Sequence, residues 1–234
     1  MLYPVLLLLL LPLSQPQTNS AAHLLGHFRP DTTTGFVLLP ERLSGDRHMW
    51  LRDEAANDLE RLVAAAENDG VWLWVVSATR TYKRQKVLWE GRFNGTRRTG
   101  GRNMAVDIPD ETERCRELLR YSAPPGLSRH HWGTDVDLNS VKSAYWETDA
   151  GLRALAWLQA NADRFGYVMA YPPGRDSGAG YEPWHWSYAP LAGPLWREFE
   201  RYVTDDDIAG FAGAAQVRRL GWRKYVNGVN DALK

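Results

Sequence analysis

Between Met49 and Val76 the chain switches its hydrophobic period once, and that switch narrows the choice of fold more than any other feature. Leu51, Ala55, Leu59, Leu62, Val63 and Ala66 recur at helical spacing over residues 49–68, and Gly70 stops the pattern. Val71-Trp72-Leu73-Trp74-Val75-Val76 follows at once. This apolar run, rich in strand formers, reads as a buried strand with Trp72 and Trp74 on one face in the core. A chain that turns so abruptly from amphipathic helix to buried strand has to lay helices against a sheet. Helical patterns recur over residues 81–94, 111–121, 149–165, 195–203 and 208–232, and strand-like stretches at 136–138, 167–170 and 182–188. Within 149–165, Leu152, Leu155, Ala156 and Leu158 are expected to face inward. Turn-rich stretches at 97–103 and 172–180 read as loops. Helices and short strands mix without strict βαβ alternation, so the class is α+β.

The length of 234 residues suits one domain with decorations. The 28 Lys and Arg balance 28 Asp and Glu, which argues against a surface built for nucleic acid or anionic lipid. The lone cysteine, Cys115, rules out an internal disulfide and a cysteine-rich zinc site, and reads as a small buried hydrophobe on a helix. At the amino end, Leu2 to Leu13 forms an apolar run of twelve residues. As a helix it would span roughly 18 Å, short of a bilayer core of about 30 Å. The length suits the centre of a secretory signal. Residues 1–21 are therefore expected to be a signal peptide or short N-terminal hydrophobic segment, and 22–234 a single domain exported to the periplasm or cell envelope. Its core would cover about 49–188, with a C-terminal helical extension over 192–234.

Three short segments concentrate ligand-type residues. They are Ser77-Ala78-Thr79-Arg80 followed by Gln85, the run from Ser128 through His130 and His131 to Asp135 and Asp137, and Glu182-Pro183-Trp184-His185-Trp186. A catalytic zinc takes three protein ligands and keeps a fourth position open, and imidazole with carboxylate serves without thiolate. His130, Asp137 and His185 would supply two nitrogens and an oxygen. Glu182 would then be free to take a proton from water whose pKa zinc lowers toward about 7. Spacing leaves rivals open: Asp135 shares a strand face with Asp137, and His131 stands beside His130. Trp132, Trp184 and Trp186 are expected to wall the pocket and exclude water.

The same segments resemble the LAS metallopeptidases, the group of lysostaphin, the D-Ala-D-Ala peptidases and sonic hedgehog, and more closely its VanY-type D-alanyl-D-alanine carboxypeptidases. That family carries S-x-x-R-(x)4-Q, then S-x-H-(x)6-D, then E-x-x-H-W. Here the motifs read Ser77, Arg80 and Gln85, then Ser128, His130 and Asp137, then Glu182, His185 and Trp186, in a stretch similar from about Met49 to Tyr188. The resemblance implies a small, mostly antiparallel sheet with helices packed around it and a zinc site at the sheet. It implies one Zn2+ ion on His130, Asp137 and His185, Glu182 as catalytic base, and Arg80 stabilising the oxyanion. Gln85, Ser128 and Ser77 would bind substrate. One departure is visible: the family commonly has Ala two residues before the ligand Asp, and this chain has Asp135. A carboxylate there could pair with Arg129 or bind a substrate amine.

The activity so implied is removal of terminal D-Ala from peptidoglycan stem peptides by a zinc-dependent D,D-carboxypeptidase. L,D-carboxypeptidase or endopeptidase specificity on the same zinc site is the first alternative, with the loops at 97–103 and 172–180 shaping the pocket. A non-catalytic cell-wall binding module is the second, disfavoured because the base and all three ligands are present. The peptide substrate is the one partner expected; nucleic acid and protein partners are not, and a monomer is.

Overall fold

The computed structural model describes residues 21–234, so the apolar run at Leu2–Leu13 lies outside the described residues. Strands β1 (Phe36–Leu38) and β2 (Trp50–Arg52) pair antiparallel, with Val37 opposite Leu51. The helical spacing over residues 49–68 includes Trp50–Arg52. Pairing with β1 claims these residues instead, and helix α1 (Asp53–Asn68) begins after Arg52. The main sheet holds β3 (Val75–Ser77), β4 (Asp135–Leu138), β5 (Tyr167–Met169) and β6 (His185–Tyr188) in the order β3-β4-β6-β5. Every neighbouring pair is antiparallel. The expected α+β class and small antiparallel sheet are what form.

Side-chain alternation in β4 and β6 splits this sheet into two unlike faces. Val136, Leu138, Trp186 and Tyr188 point to one side and join a core with Ala55, Leu59, Leu62 and Ala66 of α1. Each large apolar side chain buried there contributes about 1.5–3 kcal/mol. The opposite face carries Asp135 and Asp137, directly across from Ser187 and His185. Every residue of both strands is buried, so this polar face is covered as well.

Its cover is a second, helical core. It gathers Trp89 and Phe93 from α2 (Tyr82–Phe93), Cys115 and Leu118 from α3 (Glu111–Leu118), and Phe199 from a later helix at Ala189–Tyr202. Thr81 and Asp110 cap α2 and α3 by accepting from the backbone amides of Arg84 and Glu113. Cys115 is fully buried on its helix, as its sequence context suggests. The site thus lies on the seam between a sheet core and a helical core.

Three local expectations need correction. Trp72 and Trp74 do share a face, but it is the outer one: Trp72 is 67% exposed and Trp74 38%, while Leu73 and Val75 turn into the core. Strand pairing there begins only at Val75. In α4 (Asp149–Asn161) the buried residues are Gly151, Ala154 and Leu158, whereas Leu152 is half-exposed. The backbone of Tyr145 and Trp146 lies so close to Gly151 that a Cβ would sit 2.1 Å from the Tyr145 carbonyl oxygen, so the helix is packed by its glycine face. Finally, 208–232 is not one helix. It breaks into α6 (Ala214–Arg219), which follows α5 (Ala189–Tyr202), and α7 (Arg223–Val226), with Gly213 and Gly221 at positive φ between the pieces.

Candidate metal centre and cleft

Sheet register delivers two of the three expected metal ligands. Asp137 on β4 stands opposite His185 on β6, and their Oδ1 and Nδ1 atoms are 3.6 Å apart. His130 comes from a 3-10 turn, Arg129–Trp132, that precedes β4. Gly133 ends that turn with φ of +72°. A Cβ there would also lie 2.3 Å from the Phe36 ring, so only glycine fits both the conformation and the space. The turn is stitched to the segment after β3, because the Arg80 amide donates to the His130 carbonyl at 3.0 Å.

Hydrogen bonding orients each donor atom. His130 Nδ1–H donates to the Ala78 carbonyl at 2.8 Å, leaving Nε2 with a lone pair 3.4 Å from Asp137 Oδ2. His185 Nε2–H donates to Asp135 Oδ1 at 2.9 Å, which leaves the Nδ1 lone pair facing Asp137 and, at 3.0 Å, Glu182 Oε2. One ligand atom from each of His130, Asp137 and His185 lies within 4.8 Å of the others. His130 Nε2 and Asp137 Oδ1 are buried with no hydrogen-bond partner of their own. Lone pairs and carboxylate oxygens therefore converge on one point, a donor set that fits a divalent cation of the zinc type.

The electrostatics agree. Burial, then the positive charge of Arg80, holds the His130 pKa below its ordinary value, so the ring is neutral and able to ligate. Burial works against ionised Asp137, yet His130, His185 and Arg80 outweigh it and hold its pKa well below the usual carboxylate range. Burial also lowers the His185 pKa, but hydrogen bonds to Asp135 and Glu182 overcome this and raise it to about 9, and a metal ion on Nδ1 would displace the second proton that this favours.

Both rival ligands have other work. His131 donates from Nδ1 to the Arg80 carbonyl at 2.6 Å and accepts at Nε2 from the Gly126 amide at 3.1 Å. Neither nitrogen is free, and burial pushes its pKa down to about 3. Asp135 accepts from Arg129 Nε at 3.1 Å and from the hydroxyls of Ser187 and Thr134, in addition to His185. Burial opposes its charge, but Arg129 and His185 prevail and hold its pKa well below the usual range. Of the two pairings open to Asp135, the one with Arg129 is realised, and the pair is wholly buried. This carboxylate fixes which nitrogen of His185 carries hydrogen, a role the sequence did not single out.

A cleft of about 830 Å³ opens on the cluster. Ser77, Arg80, Gln85, Ser128 and Glu182 all line it, so the structure brings every expected site residue together. Arg80 Nη2 lies 3.4 Å from Asp137 Oδ2, and its Nη1 donates to Gln85 Oε1 at 3.0 Å. The amide end of Gln85 donates in turn to the Ala123 carbonyl at 2.6 Å. With both ends engaged, Gln85 holds the Arg80 guanidinium in place on the cleft wall. Of the three tryptophans expected to wall the pocket, only Trp184 lines it. Trp132 belongs to the helical core and Trp186 to the sheet core. Tyr171, whose ring meets that of His185 edge-on at 4.8 Å, is a lining residue that no motif announced.

Two more segments complete the walls. Arg97 and Ala179 reach the cleft from the loops at 97–103 and 172–180. Arg175 holds the second loop by donating to the carbonyls of Pro172, Ala179 and Gly228. Gly178 and Gly228 pack backbone to backbone, since a Cβ on Gly178 would sit 2.2 Å from the Gly228 carbonyl oxygen. Tyr225 and Val226, beside this contact, line the cleft as well.

Zinc-type donors on an antiparallel sheet, with a carboxylate poised beside them, define the class as a metallopeptidase. Comparison supplies the family: the model of the VanY D-alanyl-D-alanine carboxypeptidases matches residues 48–191, and the chain belongs to that family. It is 31% identical over 164 residues to the putative carboxypeptidase YodJ of Bacillus subtilis, a match covering 68% of this chain and 51% of that protein. The chain spans about half the length of the curated relatives it matches. Its fold is similar to the LD-carboxypeptidase LdcB, with a TM-score of 0.53 and 23% identity over 86% of this chain and 81% of that one. It is also similar to a vancomycin resistance D,D-pentapeptidase VanY variant in complex with Zn(II), with a TM-score of 0.51 and 21% identity over 74% of this chain and 94% of that one.

Proposed function

We propose that the protein is an exported, zinc-dependent D,D-carboxypeptidase that removes the terminal D-Ala from peptidoglycan stem peptides. The observation that carries the reading is the convergence of His130 Nε2, an Asp137 oxygen and His185 Nδ1 with Glu182 Oε2 only 3.0 Å from that nitrogen. Zinc held by His130, Asp137 and His185 supplies a Lewis acid that polarises a carbonyl and lowers the pKa of water toward about 7.

The chain's own residues supply the rest. The Glu182 side chain, 14% exposed, reaches both the cluster and the open cleft, which suits a base that takes a proton from water and returns it to the leaving amine. Arg80, held by Gln85, directs its guanidinium at the same point and stabilises negative charge as it develops on the scissile carbonyl oxygen. Ser128 and Ser77, on the cleft wall, offer hydroxyls to the peptide backbone or its terminal carboxylate. Trp184 and Tyr171 narrow the pocket around the reacting bond.

The test is D-alanine release from a stem pentapeptide by purified residues 22–234, with and without chelator and added zinc. Chelator-sensitive release restored by zinc supports the reading. Release from tetrapeptide alone moves the specificity to an L,D bond, and a protein that binds no zinc refutes the site.

A further inference from the structure

Beyond Gln85 the cleft continues into a strongly basic end that the chemistry above does not use. Arg92, in the last turn of α2, lines it together with Arg84 and Arg97. The Arg92 side chain is largely withdrawn from water, yet its hydrogen-bond partners are the Leu88 carbonyl at 3.4 Å and the Ser122 hydroxyl at 3.3 Å. Among the described residues no carboxylate pairs with it. The nearest charges that act on it include Arg80 and Arg97, both of its own sign, and one opposing carboxylate, Glu182. Burial first, and then Arg80 and Arg97, push its pKa down to about 10. Arg97 lies across Gly91, so close that a Cβ there would meet its Cδ at 2.8 Å, and its charge acts on Arg92.

A half-buried guanidinium without a counter-charge is costly, and a folded chain offsets that cost when an anion arrives. The pocket is tied to the metal centre by a continuous chain of contacts. Asp137 meets Arg80, Arg80 meets Gln85, and the Gln85 amide and Arg92 share the Ser122 hydroxyl at 3.4 and 3.3 Å. Arg80 is engaged with the reacting end, so Arg92 and Arg97 are placed to hold a different anion on the same ligand. Guanidinium groups match carboxylates in a planar, two-pronged geometry.

We propose that Arg92 and Arg97 form a subsite for a second carboxylate of the peptide substrate, on the acyl side of the scissile bond, since the leaving D-Ala carries only its terminal carboxylate. This rests on the peptidase reading for the identity of the ligand. Two positions of a stem-type peptide present such a group: a side-chain carboxylate on the residue before D-Ala-D-Ala, or the free α-carboxylate of a γ-linked glutamate one residue earlier.

The experiment measures binding by calorimetry to zinc-loaded Glu182→Gln protein, and turnover by the unaltered protein. The probes are peptides ending in D-Ala-D-Ala with each of the two carboxylates present or converted to its amide. One carboxylate is expected to tighten binding about 10-fold over its amide, with the advantage shrinking as salt rises. Arg92→Gln and Arg97→Gln should each bring the acid-to-amide ratio toward one, and Arg92→Lys should restore part of it. Arg97 is exposed, so its replacement spares the core should Arg92→Gln fail to fold. Equal binding of acid and amide at both positions overturns the subsite, as does a preference that survives loss of both guanidinium groups, or failure of the acid peptides to bind at all. If the preference holds but the unaltered protein releases no D-alanine, the subsite stands and the carboxypeptidase reading falls.

Discussion

Asp135→Ala removes one carboxylate that four donors share: His185 Nε2 at 2.9 Å, Arg129 Nε at 3.1 Å, and the hydroxyls of Ser187 and Thr134. Two effects separate. Arg129 and Asp135 are fully buried, and removing one partner of such a pair leaves the other charge uncompensated, at about 3–5 kcal/mol. His185 also loses the acceptor that keeps hydrogen on Nε2 and the lone pair on Nδ1. Loss of a partner of this kind lowers metal affinity by about 10–100-fold. A second variant tells the two apart. Arg129→Met with Asp135→Ala removes the orphaned charge, so urea unfolding should regain much of the about 3–5 kcal/mol lost in Asp135→Ala alone. Zinc affinity, read by competition with a chromophoric chelator, should stay low in both, because His185 Nε2 still has no acceptor. The reasoning is refuted if Asp135→Ala binds zinc within twofold of the parent, or if the double variant is no more stable than the single one.

Glu182→Gln should bind one zinc ion and lose about 10²–10⁴-fold in kcat for D-alanine release, a split that zinc analysis and steady-state kinetics resolve together. Chelation should abolish turnover and lower the thermal midpoint, and added zinc should restore both, since a ligand that binds only the folded state stabilises it. Gly133→Ala should lower the melting temperature by several degrees, because its φ of +72° and the Phe36 ring 2.3 Å from a new Cβ both oppose it; calorimetry checks this. Cys115, its pKa pushed up to about 12 chiefly by burial, should resist thiol reagents in the native protein and react once denaturant unfolds it.

The site was more legible in the sequence than its surroundings, and the difference has a physical cause. Asp137 and His185 had to be certain residue types at certain spacings, because strand register and ligand chemistry allow few substitutes. Asp135 was visible as a departure and as a residue two positions from Asp137, but only the register opposite Ser187 and the approach of Arg129 reveal what it holds. Trp72 and Trp74 misled because large aromatic residues favour burial by composition, whereas period-two alternation permits either face and Leu73 and Val75 took the inner one. Gly151 is buried in α4 at a close approach to the Tyr145 carbonyl that apolar periodicity does not count. The basic end of the cleft was illegible for a similar reason: Arg92 looks like any helix-surface arginine until Ser122 and Arg97 are brought beside it.

The family match ends at residue 191, yet Tyr225 and Val226 line the same cleft as His130 and Glu182. The contact between Gly178 and Gly228, clamped by Arg175, is what brings that later segment to the cleft. Part of the cleft wall is therefore supplied from beyond the stretch that carries the metal donors. Substitutions near Tyr225 would reshape the cleft wall while the donor atoms of His130, Asp137 and His185 stay put.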